Sequence, residues 1–402
     1  MIFKVLPTAL TFTLLTTLTM ADKVVVGYFP NWLGEKLPVS SIDFSSYTHI
    51  HYAFAIMVSG NVPEWTDPTA IDTQLNQLVE GAHGANSKVL ISIGGWSGSK
   101  TFSRMASTSS SRKEFIDWNV EQITKYKTDG VDIDWEYPGR QGAGCNDVDD
   151  QNDVPNLLTL LQELRAALDS AFDTHKEISI AGYSEAFTTG SGTVSNDVTT
   201  AIGKVLDRVN IMSYDINGAW NSQTGPNSPL DAPGGNTSFN SAIDAWISAG
   251  VPANKLTGGL PFYGRSTVAS EDMTKSSSLY QGQESGDPPK GDSDDAEWQD
   301  PNCAKSPSSL SGIWKFGNLM SQGVLDTPTT AKAPWVRTWD KGSSTPWLFN
   351  PSTKIFISYD DPLSIAAKVK SASSKGLAGV MVWSVDQDSK GGDLLKAITQ
   401  NI

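Results

Sequence analysis

Within residues 129–139, DGVDIDWEYPG, three carboxyl groups stand at alternate positions, Asp132, Asp134 and Glu136, with Val131, Ile133 and Trp135 between them. In an extended strand, residues i, i+2 and i+4 leave the same face, so the three acids point together while the apolar set enters packed protein. Gly130 and Pro138 bracket the run and two β-branched residues lie inside it, which favours a strand over a helix. Successive carboxyls on such a face sit about 6–7 Å apart. Shielded from water they cannot all ionise freely. At least one is expected to keep its proton near neutral pH, and a carboxyl that does so is a general acid. The competing reading is an edge strand with a solvated acidic face, and the bulky apolar residues opposite speak against it.

The elements that must carry these acids follow from the spacing of apolar runs. Short β-branched or apolar segments recur at 24–29, 48–56, 88–95, 131–137, 177–185, 208–215, 256–264 and 376–386. Amphipathic segments separate them at 70–85, 111–126, 154–175, 196–206, 238–250 and 361–374. Eight strands alternating with helices predict an α/β fold, a (β/α)8 TIM barrel. An open doubly wound sheet is the alternative, and no glycine-rich dinucleotide loop follows the first strand to support it. Residues 266–354 break the rhythm. They are rich in Ser, Asp, Gly and Pro but carry Trp298, Trp314, Trp335, Trp339 and Trp347, too aromatic for a disordered linker. They are expected to form a small folded insertion between the seventh strand and its helix, walling one side of the barrel mouth.

Barrel sites lie at the C-terminal ends of strands. Late in their strands here stand Glu136 and Tyr137 on the fourth, Met212, Tyr214 and Asp215 on the sixth, Tyr263 and Arg265 on the seventh, and Trp383 on the eighth. Singly, each has an ordinary packing or ion-pair explanation; with three acids beside them they describe an acidic cleft lined by aromatic rings.

Composition narrows the ligand. A formal charge of −14 argues against nucleic acid and anionic membrane surfaces. Thirteen tryptophans and ten tyrosines suit a neutral ligand with stackable faces, such as a sugar polymer, although many of them could serve the core. Four histidines without paired metal-ligand spacing give no zinc site, despite His49 and His51 alternating on one strand. The Asp- and Asn-rich stretch 145–153 lacks the glycine and terminal glutamate of a calcium loop. No metal or other cofactor is expected, and monomer is the default state. Residues 1–21 read as a signal peptide: Lys4, a short apolar stretch too rich in threonine to span a bilayer, and small residues before Asp22. In an exported chain the two cysteines, Cys145 and Cys303, are expected to pair. Asn236-Thr237-Ser238 is a glycosylation acceptor sequence.

With these residues in view, the chain resembles glycoside hydrolase family 18, the family of chitinases. DGVDIDWE at 129–136 fits the family signature DGxDxDxE, and Ser92-Ile93-Gly94-Gly95 fits its SxGG motif. The likeness extends to Met212-Ser213-Tyr214-Asp215, Tyr263-Gly264-Arg265, the run Tyr359 to Pro362, and Trp383, and so over the whole of residues 22–402. It implies a secreted, extracellular, endo-acting chitinase that hydrolyses β-1,4 bonds between N-acetylglucosamine units, with 266–354 as an α+β insertion. By this resemblance Glu136 is the general acid and base, Asp134 orients the substrate's acetamido group, and Asp132 shares a proton with Asp134. Tyr214 bonds the acetamido carbonyl. Trp383 is the floor under the sugar at the cleavage point, with Tyr137, Met212, Asp215, Tyr263, Arg265 and Gly95 as further contacts and Trp96 and Trp220 lining outer subsites. Two alternatives share the fold: a silent chitin-binding lectin, which Glu136 argues against, and an endo-β-N-acetylglucosaminidase on N-glycans, which the aromatic insertion argues against.

Overall fold

The computed structural model describes residues 23–189, 192–233, 235 and 237–402. The leader expected at 1–21 and the acceptor Asn236 lie outside them. Among the described residues, parallel strands β1 Val24–Pro30, β2 His49–Ile56, β3 Lys88–Gly94, β4 Gly130–Asp134, β5 Glu177–Gly182, β6 Arg208–Ile211, β7 Leu256–Pro261 and β8 Gly379–Trp383 pair in sequence order. β8 pairs back onto β1, with Val24 opposite Gly379, and closes the barrel.

The strands sort their residues by face. Val131, Ile133 and Trp135 point outward into the shell between strands and helices, where Trp135 stacks on Phe102 at 5.3 Å between ring centroids. The helices meet them with apolar stripes. In Pro68–Gly84 the stripe is Ile71, Leu75, Leu78, Val79 and Ala82; in Asp153–Ala171 it is Val154, Leu157, Leu160, Leu161, Leu164 and Leu168. The first of these helices starts where a helix should: Asp67 accepts from the Thr69 and Ala70 amides, and Pro68 follows it. The inward face is largely polar instead, lined by His51, Ser92, Asp132, Ser179 and Asn210 together with Tyr28 and Met381.

Between β7 and the helix Pro362–Ser374 the chain builds a second, antiparallel sheet of five strands. In spatial order they are Ile313–Lys315, Tyr263–Val268, Ile355–Ser358, Thr345–Asn350 and Val336–Asp340. Ala269, Met273, Leu279, Trp347, Phe349 and Phe356 form its own small core. The helix that follows is held by a capping box, the Asp361 carboxylate accepting from the Leu363 and Ser364 amides. A disulfide joins Cys145, in the loop after β4, to Cys303, 158 residues away. Among the described residues no helix is long and apolar enough to cross a membrane.

Candidate active site

β4 is shorter than the alternation predicts. Its last ladder residue is Asp134, opposite Gly94 of β3, so Glu136 stands two residues past the sheet while remaining buried. The three carboxyls therefore sit at three depths in three surroundings.

Asp132 is the deepest and the best satisfied. One carboxylate oxygen accepts from the Tyr28 hydroxyl at 2.8 Å and from Ser92 at 2.7 Å; the other accepts from Ser179 at 2.6 Å and from the Asn210 amide at 3.3 Å. His51 Nδ1 lies 3.4 Å away. Burial opposes its charge, but His51 and the hydroxyl donors outweigh it and hold the carboxyl at about 2. Asp134 has the opposite fate. Burial, then the charges of Glu136 and Asp132, push its pKa well above the ordinary carboxyl value, and its Oδ1 is buried without a hydrogen-bond partner. Glu136 is pushed up to about 7, chiefly by burial, with Tyr137 lowering and Asp215 raising it to smaller extents. Near neutral pH the site thus holds a fixed anion at the bottom and, above it, two carboxyls whose ionisation is opposed.

The two glycines of Ser92-Ile93-Gly94-Gly95 have a geometric cause. Gly94 has φ +117°, and a Cβ there would lie 2.1 Å from the Asp134 carbonyl oxygen. At Gly95, with φ +81°, it would lie 2.7 Å from the Phe54 ring. The Gly95 amide donates to that Asp134 carbonyl at 2.8 Å. Without side chains the end of β3 can lie flush against the end of β4.

Over the acids lies an aromatic platform. Trp383, half-buried at the end of β8, stacks on Phe54 at 5.7 Å with 16° between the planes, and leans on Tyr28. Trp32, 56% exposed, continues the platform by stacking on Phe54 at 6.1 Å. Met212 and Tyr214 pack in the same cluster, and the Tyr214 hydroxyl lies 3.7 Å from Met381 sulfur. Tyr137 meets Tyr183 edge-on at 5.0 Å.

Past β6, Asp215 adopts φ +58° and accepts from the Tyr263 hydroxyl at 2.5 Å and from Arg265 Nε at 2.7 Å. Burial and the Asp215 charge raise the Tyr263 pKa, so its hydroxyl remains a donor. The Arg265 guanidinium also lies 5.1 Å from the Trp220 ring centre. Trp220 and Trp96 are each 55% exposed on loops at the mouth. The structure brings Glu136, Asp134, Asp132, Tyr214, Asp215, Tyr263 and Trp383 into one electrostatic and aromatic cluster, with Trp96 and Trp220 on flanking loops.

Several residues that act on this cluster escaped the reading of motifs. Tyr28, Ser179 and Asn210 complete the donor set of Asp132, and Phe54 and Trp32 extend the platform. Ser99 accepts the Glu136 amide at 3.0 Å, and Asn146 donates to the Glu136 carbonyl at 3.0 Å. Their positions on barrel strands and mouth loops were legible; their partners were not. His49 is spent on the barrel floor, against Glu177 at 3.1 Å and Arg208 at 2.9 Å. Among the described residues no group of three His, Cys, Asp or Glu side chains converges as a metal site.

Comparison with known proteins agrees with this geometry. The model of Glycosyl hydrolases family 18 matches residues 24–388. The chain is 36% identical over 395 residues to a chitinase-like effector of Moniliophthora roreri, covering 93% of each chain. It is 31% identical over 399 residues to Chitinase 1 of Aphanocladium album, covering 92% of this chain and 82% of that one. A crystal structure of a chitinase from Rhizomucor miehei matches with a TM-score of 0.85 at 32% identity, over 94% of this chain and 99% of that one.

Proposed function

The chain belongs to glycosyl hydrolase family 18 and is a glycoside hydrolase, and from that premise we propose that it is a secreted, endo-acting chitinase that uses its substrate's own acetamido group as the nucleophile. The observation that carries the reading is the pairing of Glu136, pushed up to about 7, with an unpartnered Asp134 carboxyl oxygen beside it.

In this mechanism Glu136 gives its proton to the glycosidic oxygen as the bond to C1 breaks, and the acetamido carbonyl oxygen of the same sugar bonds to C1, forming an oxazolinium ion. The free Asp134 oxygen suits the acetamido N–H, and accepting it places the carbonyl oxygen within reach of C1. Tyr214 donates to that carbonyl oxygen. Water then enters, Glu136 takes its proton, and the hydroxide bonds to C1 from the face that the leaving group vacated while the bond from C1 to the acetamido oxygen breaks, restoring both the acetamido group and the acid with the β configuration retained. Asp132, fully occupied by donors, acts as a fixed charge that keeps the proton on Asp134 instead of sharing it. Trp383 supports the reacting sugar, and Asp215 with Tyr263 and Arg265 offers polar contacts to its hydroxyls. Trp96 and Trp220 extend the groove, with Gly95, Tyr137 and Met212 at its lining. Residues 266–354 act as an insertion domain walling it, and the 1–21 leader directs export. The substrate is chitin and its oligosaccharides, and the working unit is a monomer with no nucleic acid or membrane partner.

The test is time-resolved product analysis of wild type and Glu136→Gln on the N-acetylglucosamine hexamer. The expected outcome is cleavage to short oligomers by the wild type and turnover lowered by at least ~10²–10⁴ in the variant, with binding kept. Binding without cleavage by the wild type would favour a silent chitin-binding protein, a reading invited by the name of the Moniliophthora roreri relative. Faster release of N-glycans than cleavage of the hexamer would favour an endo-β-N-acetylglucosaminidase.

A further inference from the structure

We propose that Asn146 is a positioning residue for the hydrolysis proposed above: it holds the backbones of Glu136 and Trp96 in one frame, and the Cys145–Cys303 disulfide anchors that frame to the strap at 283–303.

The need for such a residue arises where β4 stops. Strand residues are held by their neighbours' ladders, but the ladder ends at Asp134, so the peptide groups of Glu136 must find partners elsewhere. The N–H donates to Ser99 Oγ at 3.0 Å, and the C=O accepts from Asn146 Nδ2 at 3.0 Å. The same Nδ2 lies 3.5 Å from the carbonyl oxygen of Trp96. One buried amide thus faces both the general acid and the loop that carries an exposed tryptophan of the groove. The loop bearing Asn146 passes so near Glu136 that a Cβ on Gly142 would lie 2.0 Å from the Glu136 carbonyl oxygen.

Asn146 is fixed from both sides. Its preceding residue is disulfide-bonded to Cys303. The amide of the residue after it, Asp147, donates to the Lys100 carbonyl at 2.9 Å, and the Lys100 ammonium donates to the Asn302 carbonyl at 2.8 Å. At the other end of the strap, Gln283 Nε2 donates to the carbonyls of Gly218 at 2.9 Å and Asn221 at 2.8 Å, and the Gly286 amide donates to the Ala219 carbonyl at 2.9 Å. These acceptors flank Trp220. The strap therefore ties the loop of Trp220 to the loop of Asn146, and Asn146 relays that tie to Glu136 and Trp96. A residue that only completed a surface turn would be solvated; this side chain is buried, and its amide is directed at the carbonyl of Glu136 in its own loop and at that of Trp96 in another.

The test compares wild type with Asn146→Asp, which keeps the shape and removes the donor, Asn146→Ala, and Cys145→Ser/Cys303→Ser. Two readouts are taken: kcat and KM on the hexamer, and amide hydrogen exchange over residues 135–147. In the Asn146 variants kcat is expected to fall at least ~10-fold while KM stays within about threefold, and the Glu136 and Tyr137 amides exchange at least ~10-fold faster, with β4 and β5 unchanged. The double cysteine variant is expected to speed exchange in the same segment. A kcat within about twofold of wild type in both Asn146 variants, or unchanged exchange at 135–147, would overturn the positioning role. Unchanged exchange in the double cysteine variant would overturn the anchoring. Unchanged β4 and β5 exchange confirms a folded barrel, and the alanine variant carries the test if the aspartate variant unfolds. Failure of the wild type to cleave the hexamer would sink the chitinase reading, while the exchange data would still decide the role of Asn146.

Discussion

Burial penalises ionisation of Asp132, Asp134 and Glu136 alike, and the donors and neighbouring charges that each meets separate them. Asp132 collects hydroxyl and amide donors on both oxygens and stays charged; Asp134 keeps an empty oxygen and a proton. Glu136 lies between, and its shift makes a stability prediction. Its folded value of about 7 lies above its ordinary 4.5. Below about pH 4.5 the carboxyl is protonated in both folded and unfolded chains and costs nothing. As pH rises toward 7 the unfolded chain releases the proton while the folded one keeps it, so stability is lost through that window, by on the order of 3 kcal/mol. Glu136→Gln should therefore unfold at a higher temperature than wild type at pH 8 and at nearly the same temperature at pH 4. Equal midpoints at both would mean that burial does not raise this carboxyl. By the same protonation, the hydrolysis rate should fall as pH rises through about 7.

At the scale of elements, the barrel sets its two ends to different tasks. At the mouth, β3 and β4 end against each other through Gly94 and leave a carboxyl unsatisfied. At the floor, Glu177 of β5 is saturated: Arg208 Nη2 donates at 2.8 Å, Lys88 is an ion-pair partner, and His49 is hydrogen-bonded at 3.1 Å. Burial opposes the charge on Glu177, but these partners overcome it and hold the carboxyl far below its usual range. The His49 imidazole, pulled down to about 4 by burial, is neutral at pH 7. Arg208→Met would strip the buried carboxylate of a guanidinium that donates twice to its Oε2 and should cost ~3 kcal/mol in urea unfolding. Adding Glu177→Gln should restore part of that loss, and no recovery in the double variant would show that the floor is held by packing alone.

At the scale of the whole molecule, the disulfide closes a long loop that includes β5, β6, β7 and part of the second sheet. In the chain-entropy view this constrains the unfolded chain by about 5 kcal/mol. Cys145→Ser/Cys303→Ser should lower the thermal midpoint by roughly 5 °C or more, measured against wild type under non-reducing conditions; an unchanged midpoint would place the disulfide's value in the cleft alone. How much of this was written in the chain depends on range. Alternation at 131–136 determined that the acids share a face, the spacing of apolar runs determined eight strands, and the paired glycines marked a close approach, because each is a local property of backbone geometry. Which acid keeps a proton was not local. The donors to Asp132 come from residues 40 to 104 positions away. Strand alternation also predicted a β4 that reaches Tyr137, whereas the ladder ends at Asp134 and passes Glu136 to Ser99 and Asn146. Residue types and periodicity determined which side chains gather at the barrel mouth; only the closed barrel and its tethered loops decided which groups are charged and what holds Glu136 in place, since hydrogen bonds and desolvation depend on neighbours that the order of residues does not name.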